Sequence, residues 1–122
     1  MTTTAGPAAG EQTEQPWRNE VHLVGRISGE VVVRVMPSGD PVRTWRLVVP
    51  RPEADGGRVD TLDCAVWGET GLARRVGGWR PDDVVAVSGV VRRRFYRAGT
   101  LTQSRVEIVV SSGRVVRRAT RA

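Results

Sequence analysis

Two stretches of this chain carry side chains whose types and spacing could do chemistry. One is Leu62-Asp63-Cys64-Ala65-Val66-Trp67, and the other is Val90-Val91-Arg92-Arg93-Arg94-Phe95-Tyr96. In an extended chain alternate side chains share a face. Leu62, Cys64 and Val66 then share an apolar face, and Trp67 is pushed to the opposite, polar one with Thr61, Asp63 and Ala65. A large ring on a polar face needs a reason, and stacking on a nucleic-acid base is one. In the second stretch the same period puts Val90, Arg92, Arg94 and Tyr96 together, two guanidinium groups leading to an aromatic. Rings stack bases while arginines pair phosphates, which is the layout of a sequence-tolerant single-strand groove. Each feature alone has a plainer reading. An arginine run blunts a strand edge, and a tryptophan can cap a barrel or fill a subunit contact. Their combination on adjacent strands favours the groove.

Catalytic chemistry has little to work with. His22 is the sole histidine, on a strand without a nearby nucleophile elbow or carboxylate pair. Asp82-Asp83 reads as the end of a loop, and Gly56-Gly57 and Gly77-Gly78 are turn glycines without the Lys and Ser/Thr of a phosphate loop. One cysteine and one histidine cannot build a disulfide framework or a Cys/His zinc cage within one chain, so no metal site and no cofactor are expected. Cys64, on the face of Leu62 and Val66, reads as a small core residue.

The composition agrees with a polyanion partner. All 19 basic residues are arginine against 13 acids, a net charge of +6, and the flat guanidinium suits both phosphate and base. The 22 valines favour strands. At 122 residues the chain is one domain. It has no apolar run near the roughly 20 residues of a spanning helix, and its polar start is unlike a signal peptide. A cytoplasmic, nucleoid-associated protein without membrane contact is expected. Residues 1–16 read as a disordered arm, 17–112 as the folded domain, and 113–122, with Arg114, Arg117, Arg118 and Arg121 and no acid, as a separate basic tail.

Five strand signals position these residues. The first spans about 19–35, with Val21, Leu23 and Ile27 on one face and Gly25 and Gly29 at bends. The second, about 42–50, sends Trp45, Leu47 and Val49 inward, and the third covers about 58–67. Residues 69–77 form one or two helical turns, followed by Trp79, which also reads as core; Trp17 is ambiguous. The fourth strand spans about 84–96, turns at Ala98-Gly99 and returns as the fifth near 101–110. Three strands, a short helix and two strands, with a long curved first strand, is the order of an all-β, five-stranded OB-fold barrel.

Four blocks then resemble the bacterial single-stranded DNA-binding proteins: Asn-x-Val-x-Leu-Val-Gly-Arg at 19–26, Val-Arg-Val-Met-Pro-Ser-Gly at 33–39, Leu-Asp-Cys-Ala-Val-Trp-Gly at 62–68, and Val-Ser-Gly-Val-Val-Arg-Arg-Arg-Phe-Tyr at 87–96. Their order and spacing carry the resemblance, which runs from Asn19 to about Val110. It implies base-stacking roles for Trp67 and Tyr96 and basic contacts at Arg92 and Arg94. Arg26 and Arg34, within the first two blocks, complete the candidate nucleic-acid-binding set. The resemblance also implies a homotetramer, or at least a dimer.

The chain departs from that family pattern in three places. Thr61 stands at or near a usual stacking position, the loop Pro50 to Gly57 has no aromatic, and the end reads Arg117-Arg118-Ala-Thr-Arg121-Ala in place of a Gly-rich linker and acidic tip. Weaker binding per subunit and no partner recruitment through an acidic tail are implied. The expected function is non-enzymatic binding of single-stranded DNA, in an accessory role in replication, repair, recombination or uptake. The alternatives are a replication-restart or RNA-binding OB protein, since stacking does not distinguish the sugar, and an OB module for protein contacts.

Overall fold

A computed structural model describes residues 16–52 and 56–120; the expected arm, 1–16, lies outside them except for Pro16. The elements are β1 (Val21–Val35), β2 (Pro41–Pro50), β3 (Val59–Trp67), α1 (Gly71–Val76), β4 (Val84–Ala98) and β5 (Leu101–Arg117). The strands close into a barrel in the order β1-β2-β3-β5-β4, with a parallel β3–β5 pair and all other pairs antiparallel. This is the expected all-β fold, consistent with an OB barrel, with the single short helix between β3 and β4.

Closure depends on β1 serving two partners. Residues 21–26 pair with β4, residues 26–35 pair with β2, and the register shifts between Ser28 and Val32. Gly25 sits at the changeover, where a Cβ would lie 2.6 Å from the Val48 carbonyl oxygen. Only a bare backbone lets the strands approach this closely. Gly89 plays the same part at the β4–β5 register shift, where a Cβ would collide with the Val109 backbone.

Inward alternation builds one core from Ile27, Trp45, Leu47, Cys64, Val66, Val85, Val87, Ile108 and Val110. Ala73 and Val76 of α1 join that core, and the helix is capped where Thr70 Oγ1 accepts from Ala73 N at 3.0 Å. Trp45 and Trp79 meet edge to face, centroids 5.4 Å apart, so both expected core tryptophans are core. Trp17 is exposed. Burial pushes the Cys64 thiol up to about 12, helped by the charges of Asp63 and Glu107, which fits a packing residue.

Two parts of the chain differ from the sequence reading. Ala65, expected on a polar face, is buried. The expected boundary at residue 112 falls inside β5, because Gly113, Arg114 and Arg117 pair with Val87, Ala86 and Val84 of β4. Past the strand, Arg118 Nη1 donates to Asp83 Oδ2 at 3.1 Å and Ala119 N donates to Asp83 Oδ1 at 2.7 Å. Asp83 is fully buried and also accepts from Arg80 N. Burial would raise its carboxyl, but the bonds from Ala119 and Arg80 and the Arg118 charge outweigh this and hold it below its ordinary value. The start of the basic segment is therefore anchored to the barrel by a buried carboxylate.

Candidate nucleic-acid interface

The strand registers decide which polar side chains meet outside the barrel. Arg34 is opposite Val42, and Val42 is opposite Trp67. Ala65 is beside Val109, which faces Val90. Counting outward along the β4–β5 pair gives Arg92 opposite Glu107, Arg94 opposite Arg105 and Tyr96 opposite Gln103. With a period of two, these positions all project to one side.

The result is a groove made of two adjoining depressions. The larger, about 690 Å³, is lined by Val32, Arg34, Thr44, Arg46, Arg94 and Tyr96 among others. The second, about 490 Å³, is bounded by Trp67, Arg92, Arg93, Arg94, Glu107 and Val109. Arg94 and Glu107 border both. Trp67 and Tyr96 each carry a guanidinium: Arg94 Cζ lies 4.7 Å from the Trp67 centroid, and Arg105 Cζ lies 6.0 Å from that of Tyr96.

The guanidinium groups are held by acids within the same groove. Arg94 Nη1 is 3.4 Å from Glu107 Oε2, whose side chain is nearly buried. Asp63 lies between Arg46 and Arg105 at 3.6 and 3.8 Å. The Tyr96 hydroxyl donates to Gln103 Oε1 at 3.1 Å, which fixes the ring edge. Arg34 and Arg92 have no ion-pair partner among the described residues. Flat rings, guanidinium cations and an open groove can take up unstacked bases and phosphates together.

Residues 18–116 match the model of the single-strand binding protein family. The chain belongs to that family. Its members are non-enzymatic proteins that bind DNA, and this chain carries their single-stranded DNA-binding domain. In a direct comparison no curated protein sequence matches it.

Of the six residues expected at the interface of this family member, five share the groove: Trp67, Tyr96, Arg92, Arg94 and Arg34. Arg26 is elsewhere. It lines neither depression and is ion-paired to Asp82 Oδ1 at 3.2 Å; it stands opposite Val48, further along β2 than the Val42 that faces Arg34. Glu107, Asp63, Arg46 and Arg105 were not singled out by sequence. Alternation of Gln103, Arg105 and Glu107 was the available signal, and it required counting the hairpin register from its turn. Among the described residues no helix is long and apolar enough to cross a membrane, and no group of three or more His, Cys, Asp or Glu side chains could hold a metal.

Proposed function

We propose that the chain binds single-stranded DNA with little sequence preference, stacking bases on Trp67 and Tyr96 and neutralising phosphates with Arg34, Arg92 and Arg94. The observation that carries this reading is the placement of both rings and these arginines along one outer groove of a barrel from a DNA-binding family. Occupancy requires Arg94 to move from the Trp67 face to the strand, exchanging an intramolecular cation–π contact for a phosphate. The protein acts without catalysis, in an accessory role in replication, repair, recombination or uptake, with the DNA in the cytoplasm. Titrating oligothymidine against intrinsic tryptophan fluorescence tests it. Saturable quenching that weakens with salt is expected, and its absence at low salt overturns the reading.

Self-association as a dimer or tetramer belongs to the same proposal. It is supported by the outer face of β1, β4 and β5, where exposed Val24 lies opposite Ala86, with Ser88 and Ser112 in the adjoining row. These small residues share their rows with exposed His22, opposite Ser88, and Arg114, opposite Ala86, and such an antiparallel face can pair with a copy of itself about a two-fold axis. Light scattering should give a multiple of the 13.3 kDa chain mass, and a monomer at micromolar concentration would count against it.

A further inference from the structure

The β4–β5 hairpin has a second face that the groove touches only through Arg93, at the rim of the smaller depression. β1 leaves β4 at Gly89, Asn19 makes two hydrogen bonds to the Val91 backbone, and β3 meets β5 only at Cys64–Ile108 and Ala65–Val109. Among the described residues, the two strands pair only with each other from residue 92 to 107. An isolated two-stranded ribbon is marginal in water, and both faces of this one are open. The groove face shows Arg92, Arg94 and Tyr96. The reverse face shows Arg93, Phe95 and Arg97, opposite Val106, Ser104 and Thr102.

That reverse face repeats the chemistry of the groove with fewer acids. Phe95 is 67% exposed, and Arg93 Nη1 donates to Ser104 Oγ at 3.0 Å, across from the ring. Residues 92–107 contain five arginines against one acid, Glu107. That acid lies in the groove, paired with Arg94. Tyr96 and Phe95 are neighbours on β4, whose outer edge is unpaired beyond Val91 among the described residues. A chain rounding that edge passes from the face of Tyr96 to that of Phe95 at adjacent backbone positions.

We propose that the reverse face is a second stacking site for the same single strand. A strand leaving the groove at Tyr96 crosses the β4 edge and lays a base on Phe95, with Arg93 and Arg97 on the flanking phosphates. A single-stranded nucleic acid is favoured over a second copy of the chain. Two such faces brought together would oppose arginine to arginine, whereas a polyanion is attracted to both. The proposal rests on the groove reading and extends its path.

The test compares oligothymidines of about 5 and about 16 nucleotides, the span of site sizes for one such barrel, by fluorescence anisotropy on the full chain. Phe95→Ala should weaken the long oligomer about tenfold and leave the short one unchanged. Phe95→Leu, which keeps an apolar side chain without a ring, should behave like Phe95→Ala. Wild-type affinity of Phe95→Ala for both lengths overturns the proposal. So does unchanged affinity with a changed oligomeric mass, which would assign Phe95 to a protein contact. Trp67→Ala in parallel separates the two readings, since it should weaken both lengths. If both lengths bind Trp67→Ala normally, the groove itself has failed.

Discussion

Replacing Asp83 with Asn tests whether a buried carboxylate anchors the end of β5. The side chain is fully buried and accepts three hydrogen bonds, from Arg80 N, Ala119 N and the Arg118 guanidinium. Arg118 is 63% exposed, so solvent screens it and its share is small. The two backbone donors dominate. An asparagine can keep Ala119 N on its oxygen at Oδ1, but its amide then faces Arg80 N donor to donor. One surviving bond and one buried donor left unmet amount to about 2–4 kcal/mol. For a domain of this size that lowers Tm by roughly 10–25 °C. The assay is thermal and urea unfolding at neutral pH and one fixed protein concentration. The pH dependence has a definite sign. The folded carboxyl titrates below its ordinary value of 3.8, so the wild type keeps this stability above that value and loses it as pH falls further. Asp83→Asn should lack that acid-sensitive part. A loss under about 0.5 kcal/mol, within the range of neutral surface changes, would refute the anchor.

Glu107→Gln should strengthen single-strand binding about three- to tenfold, because it removes an acid from the groove and releases Arg94, now 3.4 Å from it, to a phosphate; isothermal titration calorimetry with oligothymidine checks this, and weaker binding would mean that Glu107 positions Arg94 productively. Arg92→Gln should reduce the slope of log affinity against log salt by about 0.7, measured across four salt concentrations, since Arg92 has no ion-pair partner among the described residues. Native Cys64 should resist iodoacetamide until the protein unfolds, and stability should fall between pH 9 and about 12, where the unfolded thiol ionises and the folded one does not.

Much of the barrel was legible because its inward rows are simple alternations. Trp45-Arg46-Leu47 and Leu62-Asp63-Cys64 show which side is core, and opposite parity puts Trp67 outside. The end of β5 was not legible. Ser111-Ser112-Gly113-Arg114 has the composition of a solvated tail, and its partner in β4 is remote in sequence. Asp83 was hidden for a related reason: an acid in a turn looks solvated until the chain returns with Ala119 and Arg118 to meet it. Arg26 shares its outer row with Arg34 but stands opposite Val48 rather than Val42, and alternation gives a residue's face without saying how far along the strand the groove extends. The groove acids escaped notice because Glu107 meets Arg94 only through the hairpin register.

The central claim is that Trp67 stacks a base in the groove, and oligothymidine affinity of Trp67→Ala at two salt concentrations tests it most directly. The substitution removes a ring and no charge. Affinity should fall by about 1–3 kcal/mol at both concentrations, with the salt slope unchanged and the fold retained. Wild-type affinity, or a loss that vanishes at one of the two salt concentrations, would contradict the account.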